Sequence, residues 1–131
     1  MTTTTTKIKK QPPTEEELIQ EKARFVLDKV EESEEGDLGR AYSEWCEIHY
    51  EPLQLAEFHD TDNVQEPFDK AQEMFIGIFD DLETALKADI SQRLLHDTAI
   101  YLIDYLDWER LVADVRKQNE YIRFDVYWFR V

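Results

Sequence analysis

Residues 120–131 read EYIRFDVYWFRV, and this stretch decides the fold class. Aromatic and β-branched residues dominate it, which is the composition of strands rather than of a helix. Asp125 interrupts it near the middle and splits it into two short strands about a turn. Upstream, residues 74–79 read MFIGIF, a further strand candidate with Gly77 inside it. The remaining patterned segments have helical periodicity. The expected class is therefore α+β, mostly helical with a small antiparallel sheet near the C-terminus.

Working outward, Thr14 opens a helix. It forms a Thr-x-x-Glu capping box with Glu17, and Glu15 and Glu16 suit the positive end of the helix dipole. Leu18, Ile19, Ala23, Phe25, Val26 and Val30 recur at helical spacing, and the pattern fades between Ser33 and Gly36. Asp37 is placed to cap a second helix with Leu38, Ala41, Tyr42, Trp45 and Ile48 or His49 as its apolar stripe. Pro52 predicts a break near Tyr50. Asp60 to Pro67 reads as a loop and Phe68 to Glu73 as a helical turn. Asp80 or Asp81 caps a helix to about Leu95, with Leu82, Leu86 and Ile90 inward. Asp97 starts a short apolar helix at Ile100–Tyr105, and Asp107 starts another at Trp108–Val115. The chain thus divides into a low-complexity, disordered tail (1–13), an acidic helical region (14–65) and a C-terminal lobe (66–131).

Thirty Asp and Glu stand against fifteen Lys and Arg, a formal charge of −15. Lys7, Lys9 and Lys10 lie in the tail, so from Thr14 onward thirty acids face twelve bases, or −18. Phosphates repel such a surface, which argues against direct binding of nucleic acid. A cationic protein surface or a metal ion remains as partner, beside simple solubility. Cys46 is the only cysteine, so no internal disulfide forms and a reducing compartment fits. No apolar run approaches a membrane span, and no apolar signal region opens the chain. The expected location is the cytoplasm of a bacterial host, without membrane contact.

No catalytic set stands out. Cys46 and His49 lie one helical turn apart, but a zinc site needs four placed ligands. His59-Asp60 matches one element of a metal-dependent phosphohydrolase without its further ligands. Asp60-Thr61-Asp62-Asn63 begins like a calcium loop, but Ala71 stands where the bidentate Glu belongs. The expectation is no metal, no cofactor and no enzymatic activity. A small helical metalloprotein or hydrolase using His49, His59 and Asp60 is the rival reading. An adaptor that binds through exposed aromatics is a third.

Carboxylate spacing is the remaining signal. Glu17 and Glu21, Asp28 and Glu32, Glu31 and Glu35, and Glu47 and Glu51 are i,i+4 pairs. On one helix such pairs lie about 5–6 Å apart at Cβ and repel. That spacing is comparable to successive phosphates along a DNA strand. It fits either a solvated acidic face or imitation of a polyanion.

The C-terminal third carries a further pattern. Tyr105-Leu106-Asp107-Trp108-Glu109, followed by Asp114-Val115, resembles the aromatic-x-Asp-aromatic-Glu-x4-Asp-aliphatic segment of ArdA-type antirestriction proteins. Glu120 to Phe124 and Tyr127 to Arg130 resemble that family's closing hairpin. Phe75 to Glu83 resembles its aromatic-x-Gly-x-aromatic-Asp-x-x-Glu stretch. The resemblance covers roughly residues 36–131 and is strongest from Phe75 onward. The family's N-terminal α/β lobe has no counterpart, and Asp125-Val126 stands where the hairpin turn favours Gly. The resemblance implies an acidic DNA mimic that dimerises through its C-terminal lobe and occupies the DNA-binding groove of type I restriction-modification enzymes. With the shortened N-terminus, a CRISPR effector or another DNA-binding protein is an alternative target.

Under this reading the phosphate-mimicking residues are Glu31, Glu32, Glu34, Glu35, Asp37, Glu44, Glu47, Glu51, Glu57, Asp60, Asp62, Asp80, Asp81 and Glu83. Asp107 and Asp114 serve the fold, as a helix cap and a local hydrogen-bond acceptor. The aromatic terminal segment predicts a homodimer through Tyr121, Phe124, Tyr127, Trp128 and Phe129; the alternative is that these aromatics close the chain's own core and the nearby arginines balance its own carboxylates. Arg116, Lys117, Arg123 and Arg130 would offset the acids of a partner subunit.

Overall fold

The computed structural model describes residues 12–93 and 105–131. The expected helix end near Leu95, the start at Asp97 with most of the Ile100–Tyr105 helix, and nearly all of the tail lie outside the described residues. Described in chain order are α1 (Glu15–Glu32), α2 (Gly36–His49), α3 (Pro52–Asp60), α4 (Gln65–Met74), β1 (Phe75–Ile78), α5 (Leu82–Arg93), α6 (Trp108–Gln118), β2 (Tyr121–Phe124) and β3 (Tyr127–Arg130). The architecture is α+β, mostly helical with a three-stranded antiparallel sheet.

Local chemistry explains the boundaries. The Glu17 N–H donates to Thr14 Oγ1 at 3.1 Å, and the Thr14 N–H donates to Glu17 Oε1 at 2.9 Å, closing the expected capping box. Asp81 accepts from the Thr84 N–H at 2.8 Å, and Asp107 caps α6 by accepting from the Arg110 N–H. Asn119 ends α6 in the left-handed conformation, which Asn tolerates. Asp125, at φ 58°, supplies the hairpin turn in the place of a glycine.

Three expectations are corrected. Glu35, not Asp37, is the N-cap of α2, and Asp37 lies in the first turn. The loop expected from Asp60 to Pro67 is confined to Thr61–Val64: α3, with Pro52 in its first turn, runs through Asp60, and α4 already begins at Gln65. Proline lacks only a donor that a helix start leaves unused, so Pro52 starts one helix where it ends another. Finally, the α1 and α2 stripes are rotated. Leu27 and Cys46 are buried, whereas Leu18, Phe25 and Ile48 are exposed.

The sheet order is β1-β3-β2, so the terminal strand β3 is the central one. Side chains alternate across it. Phe129 enters a core built from α1 to α4, with Val26, Val30, Trp45, Leu55 and Phe68. Trp128 enters a second core with Ile76, Leu82, Leu86 and Val115, beneath α5 and α6. The sheet therefore forms the middle of three layers, and the period-2 pattern of β3 divides its residues between them. Each large buried side chain contributes about 1.5–3 kcal/mol. The first core does not part at residues 65 and 66, because Phe68 and Ala71 of α4 share it with α1 and α2.

Two glycines permit close approach. A Cβ on Gly39 would stand 2.1 Å from the Glu34 carbonyl oxygen and 2.3 Å from that of Glu31, so α2 seats against the end of α1 only without a side chain there. Gly77, at φ 155°, lies where the β1–β3 register shifts between Phe75 and Gly77, and a Cβ would meet the Phe79 ring.

Candidate functional site

The acidic candidates stand at the surface, and half-exposed Glu34 and Glu44 are the least open of them. Four have a cation partner: Glu32 with Lys29 at 3.7 Å, Glu47 with Arg24 at 3.5 Å, Asp60 with Lys22 at 2.8 Å and Glu83 with Lys87 at 3.2 Å. Asp81 is committed to capping α5. Glu31, Glu34, Glu35, Asp37, Glu44, Glu51, Glu57, Asp62 and Asp80 have no ion pair among the described residues.

Their placement follows the chain. Glu31 lies in the last turn of α1, Glu34 and Glu35 in the link, and Asp37 in the first turn of α2. A Ser43 hydroxyl bond to the Leu27 carbonyl at 2.9 Å and the close seat at Gly39 hold the two helices together. Glu51 and Asp62 flank α3, which carries Glu57. The Lys22–Asp60 bridge ties α3 to α1. The hydrogen bond from Lys22, with a second from His59, holds the Asp60 carboxyl below its usual range. The Thr84 N–H and hydroxyl do the same for Asp81. Both stay ionised through neutral pH.

Two of the four i,i+4 pairs do not share a helix. Glu31 and Glu35 do not share a helix, because α1 ends at Glu32. Glu47 and Glu51 do not either, because α2 ends at His49. Asp28 and Glu32 do share α1, but Arg24 and Lys29 reach them. Of the four pairs, Glu17 and Glu21 share α1 without a cation partner among the described residues, and the unpaired candidates Glu31, Glu34, Glu35, Asp37, Glu51 and Asp62 stand at helix ends and links.

The residues expected at a dimer interface divide. Trp128 and Phe129 are 5% and 0% exposed and serve the chain's own two cores. Because β3 is central, both its faces are covered and both its edges are paired. Tyr121, Phe124 and Tyr127 are half-buried, and β2 forms an outer edge of the sheet. Arg130, expected to face a partner subunit, instead turns inward to Asp89 at 2.9 Å. Asp114 is exposed and its carboxylate makes no hydrogen bond among the described residues, so it is not the local acceptor expected of it.

The rival metal ligands lie on α2 and α3. The Cys46 thiol is buried and donates to the Pro67 carbonyl oxygen, and burial pushes its pKa up to about 12. His49 stacks on Trp45 at 4.3 Å, and burial with nearby Lys70 lowers its pKa. His59 sits 3.2 Å from Asp60. No group of three or more ligating side chains stands within reach of one ion among the described residues.

Sequence reasoning missed Asp89, which is fully buried on α5. It binds Arg130 of β3 and the Tyr121 hydroxyl of β2, while Arg130 also donates to the Glu73 carbonyl. The signal was present: Asp89 continues the inward row of Leu82 and Leu86, and Arg130 shares the inward face of Trp128.

No helix among the described residues is long and apolar enough to cross a membrane. Comparison with protein-family models, with curated proteins and with solved structures finds nothing that matches this chain.

Proposed function

We propose that this chain is an acidic DNA mimic that binds a DNA-binding host defence enzyme and blocks its groove by occupation rather than by turnover. The carrying observation is the set of candidate carboxylates without ion pairs among the described residues, several of them where α1 meets α2 and around α3. Exposed carboxylates repel one another, and a chain at −15 gains nothing in stability from leaving them uncompensated. A groove lined with Lys and Arg would supply the missing partners. The resemblance of roughly residues 36–131, strongest from Phe75 onward, to ArdA-type proteins favours a type I restriction-modification enzyme as target. A CRISPR effector engaged by the same mimicry is the second reading. It is favoured by the replacement of the family's first lobe with α1, which carries Glu31 to the corner.

The test is inhibition of DNA cleavage by a purified type I enzyme, with wild type and a triple variant, Glu31→Gln, Glu34→Gln and Glu35→Gln. A hydrogen bond to a charged group is worth about 1.5–3 kcal/mol. Losing even one should therefore weaken inhibition about tenfold or more, while the melting temperature holds or rises as repulsion is relieved. Unchanged inhibition by a folded triple variant would remove this corner from the interface.

A further inference from the structure

The mouth of a cavity below the hairpin carries two arginines that the acidic surplus has not paired. The cavity measures about 330 Å³, within the usual range of small-ligand pockets. Leu82, Val115 and Trp128 line it, all buried, and the exposed side chains of Arg116, Arg123, Asp80 and Asp81 stand around them. Neither arginine makes an ion pair among the described residues, although acids outnumber bases two to one in the chain. Arg123 is nevertheless held in place. Its guanidinium lies 5.2 Å from the Trp128 ring centre, and its Nε–H donates to the Asp125 carbonyl at 3.0 Å. A fixed guanidinium with its terminal nitrogens uncommitted is prepared for a planar or tetrahedral anion.

We propose that this cavity binds a small molecule with one carboxylate or phosphate group on a short apolar body. The anion would meet Arg116 and Arg123, and the apolar part would cover Leu82, Val115 and Trp128. Asp80 and Asp81 limit the class: both carboxylates line the same cavity, so they disfavour polyphosphates and nucleic acid and leave room for a single anionic group. This site is independent of the acidic corner between α1 and α2.

The test is a nuclear magnetic resonance titration of the 15N-labelled full chain with benzoate, phenyl phosphate and uncharged benzyl alcohol. Saturable shifts of the Trp128 indole N–H are expected with benzoate or phenyl phosphate, at least tenfold tighter than with benzyl alcohol. The tighter of the two anions identifies the headgroup. Arg116→Ala should weaken that binding about tenfold, and Arg116→Ala with Arg123→Ala should abolish it. If the double variant fails to fold, Arg116→Ala alone decides, because Arg116 is exposed on α6. Equal affinity for benzyl alcohol, shifts that never saturate, or unchanged affinity in a folded arginine variant would overturn the proposal.

Discussion

At the scale of single residues, burial sets the chemistry of the lone thiol. Cys46 lies in the core between α2 and α4, and its charged form would be stranded there without water. Its pKa is raised to about 12, so the folded chain keeps the proton that an unfolded thiol loses near pH 8.5. The stabilisation is complete below that unfolded value and is lost as pH rises toward about 12. Tyr42 and Tyr50, both raised chiefly by burial, act in the same direction above pH 10. Stability to urea should therefore fall steadily between pH 8.5 and 11. The thiol should resist an aromatic disulfide reagent at pH 8 until the chain unfolds. Rapid labelling of the native chain would contradict the buried placement.

At the scale of elements, the Asp89–Arg130–Tyr121 cluster joins α5 to β3 and β2. Removing one partner of a buried ion pair leaves the other without compensation, at about 3–5 kcal/mol. Arg130 keeps 21% of its side chain exposed, so the lower end applies. Asp89→Ala should lower unfolding free energy by about 3 kcal/mol in urea titration, and a loss below about 1 kcal/mol would remove this cluster from the fold's support. The elements themselves were largely legible. The Thr14 capping box, the α5 row of Leu82, Leu86 and Ile90, and the break at Asp125 follow from local chemistry that tertiary contacts leave intact. The helices around Pro52 and Pro67 were less legible, because proline ends one helix and starts the next with the same geometry. The order of the strands was not legible. Short strands of similar composition do not reveal which is central, and so the aromatic content of β3 read as a surface for a partner. The acidic site was legible in composition but not in spacing, since helix ends at Glu32 and His49 divide pairs that look continuous in the sequence.

At the scale of the molecule, charge and architecture are separable. Two apolar cores on opposite faces of one small sheet hold the chain together, while the candidate carboxylates stand exposed along and between the helices. If those carboxylates replace phosphates, binding should be competitive with DNA and strongly screened by salt, weakening about tenfold or more between 50 and 200 mM. The most direct measurement is fluorescence anisotropy of the labelled chain bound to a type I restriction enzyme, titrated with unlabelled duplex DNA that carries its recognition site. DNA should displace the chain completely, with an apparent affinity that falls in proportion to the chain's concentration. A complex that survives saturating DNA, with DNA bound beside it, would contradict mimicry.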